Sequence, residues 1–351
     1  MIHIFTPSFA DEADTNAQNL SVKEIVPRLA PAEFRVTMFF ESRPDPRISA
    51  RPNTHLLRWH RRGNTLRAVA SLMREVPDVY FFPREGPLDA AFLSLKNIFF
   101  RRTRLVTYIV SGGLYNPEPV RPGMVRNVAR ADAVVANCMF LSELVAKRLN
   151  APASVIYDGI DRRYFFPVTA SSSGSSPVVL FAGSFRPYKR ARLAVQLAAS
   201  RPHIKFRLAG TGEEESACRQ FVSDHSLANV EFLGHLSSAQ LGDEMRRASV
   251  LFHPSVLEGH PQVLGQAAAC GLPAVALNLY HPEFTVHGET GFLAANDAEL
   301  EQGLDQLLAD PQIRQSMSGQ AIEHARKFDW DNMTALWTQT FRDVVAARAR
   351  R

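Results

Sequence analysis

Short apolar runs of strand length alternate along the chain with stretches in which apolar residues recur at helical spacing. This rhythm predicts βα units built around parallel sheets. In the first half the strand-length runs lie at residues 2–5, 35–40, 55–59, 79–82, 105–110, 133–136 and 155–157. Between them, residues 20–29 have helical spacing, with Pro27 expected to kink or shorten the helix, and residues 140–149 form a cleaner amphipathic segment. The pattern stops at residues 168–177, where Ser and Gly dominate as in a flexible connector. It restarts with runs at 178–182, 205–209, 230–233, 250–253 and 274–277, separated by helical stretches near 190–200, 213–225, 238–247 and 262–270. Residues 298–309, 311–327 and 330–347 then read as closing helices with no strand between them, and the basic end 348–351 is expected to fray.

The pattern therefore predicts an α/β protein of two Rossmann-like, doubly wound domains: residues 1–168, a linker at 169–177, residues 178–327, and a closing helical segment at 328–351. A length of 351 residues suits two such domains. Domains of this kind facing each other leave a cleft between the carboxyl ends of two sheets, so the chemistry is expected on βα loops.

Composition narrows the class. With 46% hydrophobic and 21% charged residues the chain has ample material for packed cores and is not a disordered sequence. No run approaches the roughly 18 apolar residues of a membrane-spanning helix, and the strand-like start reads as neither a secretory signal nor an anchor, so a cytoplasmic location is expected. Cys138, Cys218 and Cys270 lie far apart without a CxxC pair, which supports neither a disulfide framework nor a zinc ribbon.

Charge is uneven: residues 1–165 carry a net +7 and the remainder −2. Clusters at Arg58, Arg61 and Arg62, and at Arg101, Arg102 and Arg104 just after Ile98-Phe99-Phe100, suit a solvated surface, a phosphate-bearing substrate or an anionic membrane contacted peripherally. No zinc-finger spacing, basic zipper or RNA-recognition motif is present, so no nucleic-acid partner is expected.

The most informative loop runs from Pro254 to Pro273. A strand ends at Ser255, a glycine-containing turn carries Glu258, and Pro261 stands where a helix begins, a geometry that points backbone N–H groups toward a phosphate or sugar oxygen. Glu258 and Gln266, about two turns apart, suit two parts of one elongated ligand, while a capped Rossmann-type helix is the plain alternative.

This segment resembles the E-x7-E region of family 4 glycosyltransferases, retaining enzymes of the two-domain GT-B fold that use nucleotide sugars. Phe181-Ala182-Gly183-Ser184-Phe185-Arg186-Pro187-Tyr188-Lys189 is similar to the family's first loop of the second domain. Leu208-Ala209-Gly210-Thr211-Gly212-Glu213 resembles its GxG turn, and Val230 to Gly234 its base-side strand. Further likeness lies at Val155 to Asp161 with Phe165-Phe166-Pro167, at Pro282 to Leu293, and at Phe328-Asp329-Trp330-Asp331. The resemblance covers most of residues 133–345 and is looser before that.

The resemblance implies a GT-B fold whose second domain holds a nucleotide-diphosphate sugar and whose last helix packs back on the first domain. Lys189 would neutralise the donor diphosphate and Glu258 would hold hydroxyls of the transferred sugar. Ser184, Arg186, Gly259, His260, Pro261, Gln262 and Gln266 would complete the donor site, with no metal or cofactor beyond the co-substrate. The acceptor would be a glycan or a lipid-linked sugar meeting the first domain.

Three positions depart from the family pattern. Gln266 stands where the second glutamate normally grips the ribose diol, and Ser184 stands where arginine is common. Ser111-Gly112-Gly113 replace a histidine after the donor-facing strand of the first domain. The usual glycine-rich first loop is replaced by residues 14–19, in which Asn16 and Gln18, like Ser111 and Gly112, could face donor or acceptor, a plain helix start being the alternative.

These departures motivate an alternative of another class, a GT-B-shaped nucleotide-binding or scaffold protein that has lost transfer. A two-domain sugar-nucleotide epimerase is disfavoured by the late motifs. His253, His260, His281, Glu283 and His287 lack a metal-binding helical spacing. Asp329-Trp330-Asp331 reads as the charged start of the last helix rather than a metal site.

Overall fold

The computed structural model describes residues 1–12, 17–59, 64–110, 114, 119–168 and 176–347. It divides into two compact units, residues 1–158 with 330–351, and residues 159–329.

The first unit is built on a seven-stranded parallel sheet of β1 (Ile2–Phe9), β2 (Phe34–Phe40), β3 (Thr54–Arg58), β4 (Val79–Phe81), β5 (Arg104–Ile109), β6 (Ala133–Ala136) and β7 (Ser154–Val155), ordered β3-β2-β1-β4-β5-β6-β7. The chain winds outward from β1 in one direction and, after a crossover, from β4 in the other, which leaves a topological switch point between those strands. Strands β1, β4 and β5 read as near-continuous apolar runs because helices cover both faces of the sheet. These connections are α1 (Ala17–Arg28), α2 (Pro46–Ser49), α3 (Asn64–Arg74), α4 (Pro87–Leu95), α5 (Pro122–Ala129) and α6 (Met139–Leu149). Pro27 sits in the last turn of α1, which ends one residue later. The β1 run continues to Phe9, beyond the 2–5 expected, since Thr6, Pro7 and Ser8 interrupt the apolar pattern but not the extended backbone.

The second unit repeats the plan in six parallel strands, β8 (Val178–Ala182), β9 (Lys205–Ala209), β10 (Val230–Gly234), β11 (Val250–His253), β12 (Ala274–Leu277) and β13 (Gly291–Ala294), ordered β10-β9-β8-β11-β12-β13. Its switch point lies between β8 and β11. The helices are α7 (Ala191–Ala199), α8 (Glu215–Asp224), α9 (Ser238–Arg247), α10 (Gln262–Ala269), α11 (Asp297–Ala309) and α12 (Pro311–Ala325). Local signals set their ends. Ser237 and Gln240 form a reciprocal capping box on α9, and Asp310 accepts from the Gln312 and Ile313 amides ahead of Pro311 on α12. Strand β13 was not anticipated: four residues starting with glycine carry little periodic signal, and pairing along β12 creates the strand.

Two features differ from the pattern-based division. Residues 159–168 belong to the second unit rather than the first. The Ile160 amide donates to the Phe328 carbonyl at 2.8 Å, Arg162 Nε meets Asp329 Oδ1 at 2.6 Å, and Arg246 Nη1 donates to the Tyr164 carbonyl at 2.9 Å. Hydrogen bonds therefore mark the change of unit, whereas the Ser/Gly tract assigned to the linker falls largely on 169–175, outside the described residues.

The final helix, α13 (Trp330–Ala346), is part of the first unit's core. Trp337 is fully buried with its ring 4.9 Å from Phe81 and 4.8 Å from Tyr108, both edge-on, and Phe341 lies 5.1 Å from Phe81. Asp331 in the first turn pairs with Arg28 at 3.0 Å, and Arg342 pairs with Glu33. Truncating Trp337 to Ala removes this hub, and a loss of about 3 to 5 kcal/mol is expected in chemical denaturation of the full chain. A change below about 1 kcal/mol would mean that α13 is not integral to that core.

Candidate functional site

Two loops at the carboxyl ends of β8 and β11 are joined by backbone. The 3-10 turn Pro187–Lys189 follows β8, and its Tyr188 carbonyl accepts from the Val256 amide at 2.9 Å and from Ser255 Oγ at 3.2 Å. Ser255 is fully buried, so the second bond fixes the loop after β11 where water cannot compete. Arg190, in the left-handed conformation at φ 58°, closes the turn and ties it to α11 by donating from Nη1 to Asp297 Oδ1 at 2.8 Å. The consequence is that Lys189 and Glu258, 69 positions apart, meet as a hydrogen-bonded ion pair with both side chains largely buried.

The loop after β9 presses in from the other side. Gly210 has φ 132°, and a Cβ there would stand 1.9 Å from the Gly183 carbonyl oxygen, so only glycine fits. Its amide donates to the Gly234 carbonyl at 2.7 Å, while the Phe185 amide donates to the Thr211 carbonyl at 2.9 Å. These bonds leave a cavity of about 500 Å³. It is lined by Gly183, Ser184 and Lys189 after β8, Gly210 and Thr211 after β9, His235, Leu236 and Leu241 near β10, and Glu258, His260, Pro261, Gln262, Val263 and Gln266 of the α10 region.

Most of the residues singled out from sequence thus border one space. Arg186 does not: it is exposed and outside the lining, and Gly259 contributes only backbone between Glu258 and His260. In the first unit Gln18 borders a different cavity, with Nε2 donating to the Phe82 carbonyl at 3.0 Å. Asn16, Ser111 and Gly112 lie outside the described residues.

Behind Glu258 stands a wall that motif reading did not assign to it. His253, at the end of β11 and 2% exposed, has Nε2 3.2 Å from Glu258 Oε1, and Tyr280 packs edge-on to the His253 ring at 6.4 Å. Burial alone would push the Glu258 carboxyl up, but the adjoining His253 ring and Lys189 ammonium outweigh it and hold the carboxyl at about 2. Burial pushes the His253 imidazole below its usual value despite the carboxylate, so the ring is neutral at pH 7 and the compensating charge comes from Lys189. Burial likewise raises the Tyr280 hydroxyl well above its ordinary range, with the Glu258 charge adding to the effect. The signal for His253 was its place on the last position of a buried strand, whereas Tyr280 follows β12 in a loop with no pattern of its own.

The remaining histidines disperse. His260 lies against Phe284 with Nδ1 3.8 Å from Glu283 Oε2, and His287 Nδ1 meets the Leu293 backbone. Among the described residues no three His, Cys, Asp or Glu side chains converge as a metal site.

A glycine-shaped βα turn, a charged pair at a switch point and a helix start on one cavity are the makings of a nucleotide-sugar site. Residues 168–324 match the family described as Glycosyl transferases group 1, which makes this region a group 1 glycosyltransferase domain, and the architecture is the GT-B fold. The chain is 28% identical over 256 residues to a D-inositol 3-phosphate glycosyltransferase of Paenarthrobacter aurescens, covering 66% of this chain and 62% of that protein. It is 26% identical over 204 residues to an uncharacterized glycosyltransferase of Methanocaldococcus jannaschii, covering 57% of this chain and 56% of that protein. The match thus spans somewhat over half the length of these relatives. Sucrose-phosphate synthase of Thermosynechococcus elongatus has the same fold with a TM-score of 0.77, 20% identity and coverage of 99% and 100%. Anabaena HepE in complex with UDP and glucose has a TM-score of 0.73, 18% identity and coverage of 97% and 99%.

The low value of the Glu258 carboxyl makes a stability prediction. Because the folded value lies below the ordinary 4.5, the ionised group stabilises the fold above that pH, and the contribution is lost as pH falls through about 2. Wild type should exceed Glu258→Gln in unfolding free energy by on the order of 3 kcal/mol at pH 6 to 7, and the gap should close toward pH 2. Denaturant titrations across this range test it, and a gap that does not narrow would contradict the ion pair.

Proposed function

We propose that the chain is a glycosyltransferase that moves a sugar from a nucleoside-diphosphate sugar to a glycan or lipid-linked acceptor, with retention of configuration and without a divalent metal. The observation that carries this reading is the Lys189–Glu258 pair in the cavity at the switch point of the second unit. Breaking the bond between the anomeric carbon and the diphosphate leaves an electron pair on a phosphate oxygen. A fixed ammonium next to that oxygen stabilises the charge as it develops, the service a metal would otherwise give.

Glu258, ionised at any working pH, only accepts hydrogen bonds, so it holds hydroxyls of the transferred sugar and sets the position of the anomeric carbon. Donor entry exchanges the mutual pair of these residues for contacts to phosphate and hydroxyl. Gln262 and Val263 at the start of α10 line the diphosphate side, where helix amides favour an anion. Gln266, one turn on, takes the ribose hydroxyls with an amide instead of a carboxylate, at a loss of about 1 kcal/mol. The departing oxygen accepts the proton of the acceptor hydroxyl, whose oxygen bonds to the anomeric carbon on the face the leaving group vacates. The UDP-bound state of HepE and the matched family support a nucleotide-sugar donor.

Thermal unfolding of the full chain with UDP, GDP, ADP, dTDP or CMP, with and without magnesium, tests the donor. Near 100 times its dissociation constant one nucleotide should add about 2.7 kcal/mol, independently of magnesium, and Lys189→Ala should abolish the shift. The intact donor should slowly lose sugar to water in the wild type and not in Glu258→Ala. Nucleotide binding without sugar release or transfer would favour the scaffold reading, and no nucleotide shift would remove the donor assignment.

The acceptor side is assigned to the basic first unit, with a peripheral anionic membrane as its setting. Ile98 and Phe99 are 67% and 50% exposed next to Arg101 and Arg102, a pairing that suits such a surface. Anionic liposomes should retain the protein at low salt and release it at high salt, and failure to retain it removes the membrane contact.

A further inference from the structure

The first unit has a cavity at its own switch point. A space of about 280 Å³ opens between the loop after β4, the end of β5 and the face of α5. Two of its lining side chains are buried polar groups with an unsatisfied oxygen: Thr107 Oγ1 on β5 and Asn127 Oδ1 on α5, with the residues 3% and 1% exposed. A buried oxygen without a partner is costly, and two of them beside one cavity mark a place where a ligand supplies the missing donors.

The rim of the cavity is strained and held rigid. Phe82 and Glu85 adopt φ 60° and 65°, which non-glycine residues avoid. The Asp89 carboxylate clamps the loop by accepting from the Arg84 amide at 2.9 Å, the Gly86 amide at 2.8 Å and the Tyr80 hydroxyl at 2.7 Å. The Phe82 amide donates to the Val106 carbonyl at 2.9 Å, and its carbonyl accepts from Gln18. On the facing helix, a Cβ on Gly123 would come within 2.7 Å of the Glu85 side chain, so α5 can approach only with glycine there. This rim is preorganised rather than adaptable.

The chemistry of the walls selects the ligand. Oxygen acceptors call for O–H donors. The guanidinium groups of Arg84 and Arg121 disfavour an ammonium, while Glu85 and the two unsatisfied oxygens disfavour an anion. Ile109, Val110 and Met124 offer apolar wall to C–H groups. We propose that this cavity binds one neutral, hydroxyl-bearing sugar ring, with Thr107 and Asn127 as its specificity-determining residues. The site is separate from the nucleotide cavity and does not depend on the donor reading.

Saturation-transfer NMR on the full chain with a panel of methyl hexosides at millimolar concentration tests this. Wild type should bind at least one glycoside saturably, and Thr107→Val should weaken that binding about tenfold. Because the deleted oxygen has no partner, the same variant should unfold at the wild-type temperature or above, and nucleotide binding should be unchanged. Asn127→Leu should act in the same direction on glycoside binding. The proposal is overturned if no glycoside saturates, if both variants bind like wild type, or if Thr107→Val lowers the unfolding temperature, as removal of a structural hydrogen bond would. Glycoside binding that persists while every nucleotide fails to bind would overturn the donor reading and leave this one standing.

Discussion

The Tyr188 carbonyl is the point on which the second unit's site depends. By accepting from both the Val256 amide and the Ser255 hydroxyl it locks the loop after β8 to the loop after β11. Without that lock Lys189 and Glu258 would be two charged residues on separate loops, each free to move into water. With it, a cation and an anion share a largely dehydrated space, where their attraction is strong and their positions are set before any ligand arrives.

That arrangement stores an imbalance useful for chemistry. Neither member of the pair is satisfied by water, and the neutral His253 behind Glu258 contributes shape and polarity without a compensating charge. A ligand that carries both a diphosphate and hydroxyl groups replaces the internal pair with two external ones, so the desolvation of both side chains is already spent in folding. The glycine contacts at Gly183 and Gly210 serve the same end by bringing backbone to the cavity wall where side chains would fill it.

The two units illustrate one topological rule in different materials. Each doubly wound sheet has a switch point, and each has a cavity there. In the second unit the wall is glycine-rich and charged, with its polar groups paired to each other. In the first it is formed by a strained loop, apolar side chains and oxygens left without partners. The difference follows from what lies at the strand ends, since the sheets themselves are alike.

The alternation of apolar runs was enough to find the parallel strands of both sheets except the four-residue β13, and the spaced motifs at 181–189, 208–213 and 254–273 were enough to find most of one cavity's lining. Both follow from local rules: buried parallel strands must be apolar throughout, and close backbone turns need glycine. The position of the change of unit, the exposure of Arg186, the burial of His253 and Tyr280 behind Glu258, and the unsatisfied oxygens of Thr107 and Asn127 were decided only by tertiary structure. Each depends on which distant segments meet, and hydrogen bonding and burial between residues tens to hundreds of positions apart leave no periodic trace along the chain.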